Sequence, residues 1–252
     1  MIKPFIHTLP PARLGTLHSS LESFYASIYN NEIDARGNDN PSQPEYPEKS
    51  RKEYTLIIIT ESCNERILLG LKNRGFGTGF YNSFGGKVDP SDSSVAYGAV
   101  RELKEETNIS VSLDIMEKSF VGTLDFTFED NDKQMIVHVF HIDVKCVSKE
   151  EYLKSLASTN FSDERKDMVI VLDPEEIKPP SDNEITPKWF NNWYEIPLFN
   201  MHADDSIWLH KVLSAVKENP GAKSRKLLNG WFHFAPGSTE VNTILHHHIE
   251  YV

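Results

Sequence analysis

The sequence predicts an α/β fold from three features of its central part. YTLIIIT (54–60) is rich in β-branched residues, and RILLGLK (66–72) follows it after the turn SCNE, which is typical of two adjacent strands. A segment with five glycines, GFGTGFYNSFGGKV (75–88), then leads into a helical pattern. Two further strand patterns, residues 119–130 and 134–144, flank the turn DNDK and indicate a long hairpin. Strands and helices that follow one another in this way indicate the α/β class.

The helix after the glycine-rich segment is predicted to run from about Asp92 to Thr107. Ser91 or Asp92 is expected to cap it, because a short polar side chain accepts a hydrogen bond from the free amides of the first turn. Asn108 suits the left-handed conformation that commonly ends a helix. The prediction therefore places this helix directly after the glycines at positions 85–86.

The C-terminal third continues the pattern. KWFNNWYEI (188–196) is predicted to return to the sheet, and DDSIWLHKVLSAV (204–216) to form a helix with two acids in its first turn. WFHFA (231–235) and VNTILHHHIEYV (241–252) are predicted as closing strands. The three histidines at 246–248 lie within the last pattern. Because successive side chains of a strand point to opposite faces, we interpret them as strand residues rather than as a metal site.

Two segments fall outside this pattern. Residues 31–53 are polar, contain prolines and nearly lack large aliphatic side chains, which indicates a linker. The chain is therefore predicted to consist of a partly flexible N-terminal extension, residues 1–53, and one domain, residues 54–252. Residues 147–181 are predicted to be an insertion, because ordered loops of this length are uncommon inside a compact domain. The insertion is predicted to contain a short helix, KEEYLKSL (149–156), and a strand, MVIVL (168–172).

The composition limits the function classes. The formal net charge of −11 argues against binding of a nucleic-acid polymer, which needs a basic surface. No apolar run is long enough to cross a membrane. Cys63 and Cys146 lack the spacing of metal ligands and favour a reducing compartment. We therefore expect a cytoplasmic protein, with a mitochondrial or nuclear location left open because the first twenty residues contain bases and no acid.

The segment RELKEET (101–107) crowds three carboxylates onto one helix face. Glu102, Glu105 and Glu106 are three and four residues apart, so their side chains are neighbours, and like charges at this spacing weaken a helix. One interpretation is a solvated acidic face. The other is a divalent cation held between the carboxylates and a phosphate, because Mg²⁺ prefers carboxylate, water and phosphate oxygens. The preceding glycines favour the second interpretation, since their amides are available to an anion.

GGKVDPSDSSVAYGAVRELKEETNI (85–109) resembles the signature of the Nudix hydrolases. That signature is a glycine, five residues, a glutamate, seven residues, and then Arg-Glu-aliphatic-x-Glu-Glu-x-Gly-aliphatic. The matching residues are Gly86, Arg101, Glu102, Leu103, Glu105, Glu106 and Ile109. Three departures occur: one extra residue precedes Arg101, the early glutamate is replaced near Asp92 or Ser93, and Asn108 stands for the second glycine. Asparagine tolerates positive φ, so the last change is mild.

The resemblance implies an α/β/α sandwich with a mixed sheet, and hydrolysis of a phosphoanhydride by a metal-activated water. The cofactor implied is Mg²⁺, with Mn²⁺ as a substitute. Arg101 is expected to orient the glutamates rather than to contact substrate. The implied metal ligands are Glu102, Glu105, Glu106, the carbonyl of Gly85, and Glu184 as a further ligand or catalytic carboxylate; the four glutamates are also the implied catalytic residues.

A narrower resemblance, carried by YTLIIIT, the 67–88 segment, VHVF and DDSIW in that order, is to the Nudix hydrolases of oxidised purine nucleoside triphosphates. It implies a nucleotide pocket in which Asp204 and Asp205 face the edge of the base and Trp208 supports them. His202 occupies the position where these enzymes carry a stacking tryptophan. The other implied pocket residues are Thr55, Lys72, Phe76, Asn82, Phe84, Gly85, Gly86, Lys87, Phe126, Met135 and Phe234. Phe128 and Phe140 are interpreted as ordinary core.

The expected activity is hydrolysis of 8-oxo-dGTP or 2-hydroxy-dATP type nucleotides to the monophosphate and pyrophosphate, by a monomer that binds neither nucleic-acid polymers nor membranes. Two alternatives remain. The chain could hydrolyse another nucleoside diphosphate derivative, such as a dinucleoside polyphosphate or a nucleotide sugar. It could also be a non-catalytic nucleotide-binding protein, since a fold alone does not prove activity.

Overall fold

A mixed β-sheet forms the centre of the structure, a computed structural model that describes residues 50–61, 65–130, 132–146, 170–172, 177–179, 182–218, 227–236 and 243–251. These residues all lie within the compact unit formed by residues 40–252. The predicted α/β class is confirmed. Among the described residues, no helix is long and apolar enough to cross a membrane.

The elements follow the predicted order. The strands are β1 Ser50–Glu61, β2 Arg66–Lys72, β3 Tyr81–Asn82, β4 Phe120–Phe128, β5 Lys133–Cys146, β6 Ile170–Leu172, β7 Ile185–Phe190, β8 Leu228–Phe234 and β9 Ile244–Tyr251. The helices are α1 Val95–Thr107, α2 Leu113–Lys118 and α3 Asp205–Glu218, and two 3₁₀ turns occupy Trp193–Glu195 and Leu198–Asn200.

The sheet contains both parallel and antiparallel pairs. Its strand order is β3-β2-β1-β5-β4-β8-β9, with β7 beside β2 and β6 beside β5. β1 runs parallel to β5, and β4 runs parallel to β8. The predicted hairpins β1–β2 and β4–β5 are antiparallel. The sheet is therefore mixed, as the resemblance implied.

The central strand β1 is buried on both faces. Ile57 and Ile59 pack with Phe140 and Ile142 of β5 against α1. Ile58 is also fully buried, and it points to the opposite face because side chains alternate along a strand. Burial of both faces explains the continuous run of β-branched residues that predicted this strand.

Several predicted boundaries differ from the structure. KWFNNWYEI (188–196) was predicted as a strand, but β7 is Ile185–Phe190, and Trp193–Glu195 forms a 3₁₀ turn whose start is capped by the side chain of Asn192. β1 begins at Ser50, so residues 50–53, predicted as linker, pair with β5 instead. Polar side chains are tolerated there because their positions are half-buried or exposed. Helix α1 begins at Val95, with Ser94 rather than Ser91 or Asp92 as its cap; the Ser94 hydroxyl accepts from the Tyr97 amide. Asn108 ends the helix at φ 64°, as predicted.

The predicted insertion is partly described. Ile170–Leu172 of the predicted strand MVIVL pairs with the end of β5 in parallel. Ile177 packs against the α1 cluster, and the amide of Lys178 donates to the carbonyl of Thr107. The predicted helix at 149–156 and residues 1–49 lie outside the described residues. The histidines 246–248 lie in β9, as the strand interpretation predicted.

Candidate active site

The glycine pair that precedes α1 brings the loop close to β1 and to the glutamates. Gly85 adopts φ +136°, and a Cβ there would overlap the carbonyl of Thr55. A Cβ on Gly86 would lie 2.7 Å from the carboxylate of Glu102. The amide of Thr55 donates to the carbonyl of Gly86 at 2.8 Å. Only glycine allows this approach at position 85, because side chains rarely adopt its positive φ, and a side chain at position 86 would displace the Glu102 carboxylate.

Glu106, near the C-terminal end of α1, is buried and contacts this loop. Its Oε2 accepts a hydrogen bond from the Gly85 amide at 2.8 Å, and its Oε1 lies 3.6 Å from Nζ of Lys72. Burial raises the pKa of Glu106 to about 7, against the opposing effects of the Gly85 hydrogen bond and the Lys72 charge. Near neutral pH this carboxyl is therefore poised between its charged and neutral forms.

Lys72 joins Glu106 to Glu184, a residue distant in sequence. Its Nζ donates to Oε1 of Glu184 at 2.7 Å. Glu184 stands immediately before β7, and β7 pairs with β2 so that Lys72 lies opposite Ile185. Arg74 binds Asp182 and approaches Glu184 at 3.4 Å. The pairing of β2 with β7 thus places Glu184 beside Lys72 and near Glu106, and its role as a ligand or catalytic carboxylate stays a prediction.

Arg101 holds the other two glutamates. Its Nη1 donates to Glu102 at 2.8 Å and to Glu105 at 3.1 Å. Its Nη2 lies 3.0 Å from Oδ2 of Asp92, whose side chain is fully buried. The Arg101 hydrogen bond holds the pKa of Asp92 below its ordinary value, and burial raises the pKa of Glu102. Asp92 therefore supplies the acid that anchors Arg101, and Arg101 orients the glutamates rather than facing the pocket.

The oxygen atoms of the predicted metal ligands suit a hard cation, but the side chains do not converge on one point. Among the described residues, no three Asp, Glu, His or Cys side chains converge as a metal site. Instead, Arg101 contacts Glu102 and Glu105, and Lys72 contacts Glu106 and Glu184. Every donor in the set is an oxygen, which fits Mg²⁺ or Mn²⁺ rather than a soft metal.

A cavity of about 320 Å³ lies beside this cluster. The predicted site residues that line it are Thr55, Lys72, Phe76, Asn82, Gly85, Gly86, Glu106, Phe126, Met135, Glu184, His202, Asp204, Asp205 and Phe234. Five predicted site residues do not line it. Glu102 and Glu105 are held by Arg101, Phe84 is fully buried core, Trp208 lies behind Asp204, and the carbonyl of Lys87 accepts from Arg101.

Sequence reasoning missed six lining residues: Tyr54, Leu56, Ser83, Phe128, Val137 and Ile185. Phe128 was expected to be ordinary core, and that expectation is wrong. It stands two residues after Phe126 on β4, so both rings project from the same face. The same alternation links Met135 to Val137, so it could have found Phe128 and Val137 but not the other four residues. Phe140 belongs to the core cluster against α1, as predicted.

Asp204 and Asp205 form a buried acidic pair at the start of α3. They are only 5% and 3% exposed. The indole Nε1 of Trp208 donates to Oδ2 of Asp204 at 3.0 Å, and the amide of His202 donates to Oδ2 of Asp205 at 3.0 Å. Burial raises the pKa of both carboxyls, and the neighbouring Asp204 raises that of Asp205 further. Asp205 consequently keeps its proton more readily than an exposed aspartate.

His202 lies between two phenylalanines of the glycine-rich segment. Its ring stacks on Phe76 with centroids 5.4 Å apart and planes 8° apart, and it meets Phe80 edge-on at 5.4 Å. Burial lowers the pKa of His202, while the charge of Asp204 opposes that shift. His202 lines the cavity and burial favours its neutral form, and its predicted stacking on a base stays a prediction.

Comparison with known proteins agrees with this geometry. Residues 51–194 match the NUDIX domain family. Two relatives named "Oxidized purine nucleoside triphosphate hydrolase" are similar in sequence. The Mus musculus protein is 32% identical over 164 residues, which are 65% of this chain and 81% of that protein. The Danio rerio protein is 32% identical over 162 residues, which are 64% of this chain and 80% of that protein.

Among solved structures, the MutT protein from Methanosarcina mazei Go1 is 20% identical, with a TM-score of 0.43. The alignment covers 69% of this chain and all of that one. The NUDIX match extends over more than half of the 252 residues, and it includes the glycine turn, Arg101 and all of the glutamates discussed above. The chain therefore belongs to the Nudix hydrolase family.

Proposed function

We propose that the chain hydrolyses oxidised purine nucleoside triphosphates to the monophosphate and pyrophosphate, with Mg²⁺ or Mn²⁺ as cofactor. The observation that carries this proposal is that a single cavity is lined both by the buried pair Asp204–Asp205 and by the Lys72–Glu106–Glu184 cluster. The first set is suited to reading a base, and the second to handling phosphates. The similarity to two proteins named for this activity supports the same assignment.

The acidic pair suits the edge of a purine because burial raises the pKa of both carboxyls and so favours a proton on at least one of them. Both are almost fully buried, and ionising both in so little water is costly. A neutral carboxyl donates a hydrogen bond, whereas an ionised one only accepts. The pair therefore offers one donor and several acceptors, which can satisfy an edge that presents both kinds of group. This adaptability supports a substrate class of oxidised purines rather than one base.

The apolar lining suits the faces of the base. Phe126, Phe128 and Phe234 project into the cavity from β4 and β8, and His202 contributes an aromatic face from the loop before α3. Aromatic rings of this kind stack on nucleobases with little dependence on base identity. We therefore assign affinity to the rings and discrimination to the two aspartates.

The charged part of the cavity suits the phosphates. Glu102, Glu105, Glu106 and Glu184, with the carbonyl of Gly85, are the residues that would hold the metal. When bound, the metal lowers the pKa of a water nucleophile and neutralises negative charge on the phosphates. Lys72, which lines the same cavity, can donate hydrogen bonds to phosphate oxygens. Arg101, fixed by Asp92, keeps Glu102 and Glu105 in place.

A turnover screen tests this proposal. The protein is incubated in Mg²⁺ with 8-oxo-dGTP, 2-hydroxy-dATP, dGTP, a dinucleoside polyphosphate and a nucleotide sugar, and the products are separated. We expect pyrophosphate release and a higher kcat/KM for at least one oxidised purine than for dGTP. A preference for the dinucleoside polyphosphate or the nucleotide sugar would overturn the substrate assignment, and no metal-dependent turnover of any of them would overturn the hydrolase assignment.

A further inference from the structure

We propose that Lys72 is a displaceable internal cation that closes the metal site while no nucleotide is bound, so that metal and triphosphate enter the site together. This inference rests on the proposed function only in taking Glu106 and Glu184 as metal ligands. It gives Lys72 a second role, control of access to the metal site, in addition to contact with the substrate.

The contacts of Lys72 show how the site is closed. Its ammonium lies 2.7 Å from Oε1 of Glu184 and 3.6 Å from Oε1 of Glu106. Glu184 stands immediately before β7, and Glu106 lies on α1. Lys72 is the group that bridges their two carboxylates. A divalent cation at this position would meet the ammonium charge within a few ångströms. The ammonium must therefore move before the two carboxylates can share a metal ion.

The ammonium of Lys72 has fewer partners than the guanidinium of Arg101. Arg101 is held by Asp92, Glu102, Glu105 and the carbonyl of Lys87 together. The Lys72 ammonium contacts Glu184 and Glu106, and its backbone is held separately: its amide donates to the carbonyl of Phe80, and β2 pairs with β7. Its ammonium ends a flexible four-carbon stem that lines the cavity. The side chain can thus swing toward a bound nucleotide without disturbing the sheet.

The negative charge of the nucleotide's phosphates attracts the Lys72 ammonium away from the two glutamates. A triphosphate in the cavity offers Lys72 several anionic oxygens in place of the two glutamates. Once the ammonium has turned toward them, Glu106 and Glu184 are left as two neighbouring carboxylates, and a divalent cation relieves their repulsion. Because such coupling is reciprocal, metal binding in turn favours nucleotide binding.

Mn²⁺ binding to the nucleotide-free protein, followed by electron paramagnetic resonance at pH 8.5, tests the inference without any turnover. Lys72→Met keeps the aliphatic stem and removes the ammonium. We expect it to bind Mn²⁺ at least about tenfold more tightly than the wild type, because an ammonium about 4 Å from a dication opposes it strongly. Lys104→Met is the matched control: Lys104 lies on the same helix as the glutamates, but its ammonium binds Asn108. Its Mn²⁺ affinity should equal that of the wild type.

Lys72→Gln provides a second variant in case Lys72→Met folds poorly, and circular dichroism verifies both. Unchanged or weaker Mn²⁺ binding in the folded variants would overturn the inference, as would an equal gain in Lys104→Met. The result is independent of the substrate assignment. If the wild type hydrolyses no nucleotide but Lys72→Met still gains Mn²⁺ affinity, the proposed function fails and the role of Lys72 stands.

Discussion

His202 and Phe76 form a stacked pair. His202 is half-buried, and Phe76 is 60% exposed. Phe76 stands between Gly75 and Gly77, which adopt φ +80° and +76°. Glycine reaches these conformations without strain, so the loop can present an aromatic side chain at the mouth of the cavity. The pair therefore provides a surface against which a base can stack, with His202 as its inner member.

Phe76→Ala should raise KM for an oxidised purine triphosphate by about 2- to 10-fold, the scale of one aromatic contact. The turnover number should change little, because Phe76 stacks on His202, whereas the phosphates are proposed to bind at the glutamates. Phe199→Ala is the control, since Phe199 is 92% exposed and is not a cavity residue. Steady-state kinetics of both variants provide the comparison. Equal KM values in Phe76→Ala and wild type would show that the stack does not contact substrate.

Glu106 makes stability depend on pH. Its pKa in the folded chain is about 7, compared with an ordinary value of 4.5, chiefly because it is buried. The folded state thus binds this proton more tightly than the unfolded state does. The resulting stabilisation is complete below pH 4.5 and is lost as the pH rises through about 7.

Glu106→Gln keeps a neutral side chain at every pH. In metal-free buffer, the free energy of unfolding of the wild type relative to this variant should therefore fall by roughly 2 to 4 kcal/mol between pH 5 and pH 8. Urea denaturation at the two pH values measures the difference. Glu117→Gln, on the exposed part of α2, controls for the loss of one negative charge. A constant difference between wild type and Glu106→Gln would contradict the burial of an ionisable carboxyl at this position.

At the scale of elements, strand β1 extends further toward the N-terminus than its sequence pattern indicates. Residues 50–53 pair with residues 133–136 of β5, and the amide of Val88 donates to the carbonyl of Glu53 at 3.0 Å. This pairing supports Met135, a cavity residue that lies opposite Lys52. The first four residues of the strand therefore help to shape the cavity.

A chain that begins at residue 48 should keep kcat/KM within about 2-fold of the full-length protein, because it retains all of β1. A chain that begins at Tyr54 loses four ladder positions. We expect its melting temperature to fall by about 2 to 4 °C or more, the effect of roughly 1 kcal/mol in a domain of this size. Calorimetry and kinetics of the two truncations provide the test. If the shorter chain is as stable and active as the longer one, the pairing of residues 50–53 is not needed.

The sequence predicted these elements where pattern and packing agree. The run at 54–60, the left-handed Asn108 and the hairpin of β4 with β5 follow from local residue preferences. The start of β1 was missed because its first residues are polar and are paired only through their backbones. The contact between Lys72 and Glu184 joins residues 112 positions apart, and no local pattern indicates it. Phe128 was assigned to the core because an apolar residue in a strand looks the same beside a cavity as beside a helix.

At the scale of the whole molecule, the acidic pair and the glutamates come from different elements of the fold. The acidic pair stands at the start of α3, and the glutamates stand on α1 and before β7, yet Asp204, Asp205, Glu106 and Glu184 line the same cavity. This arrangement predicts a separation of roles. A change in the acidic pair should alter which base is accepted, whereas a change in the glutamates should alter the hydrolytic step for every base.

The most direct test compares Asp204→Asn, Asp205→Asn and Glu106→Gln by kcat/KM on 8-oxo-dGTP, 2-hydroxy-dATP and dGTP over a range of Mg²⁺ concentrations. At least one aspartate variant should lose about 2 kcal/mol or more on an oxidised purine, the scale of a buried polar group left unpaired, with its Mg²⁺ dependence unchanged. Glu106→Gln should lose at least about a hundredfold in kcat on all three nucleotides, with their order of preference unchanged. If both aspartate variants keep wild-type kcat/KM on all three nucleotides, the acids are only structural, and the assignment of the cavity to oxidised purines is contradicted.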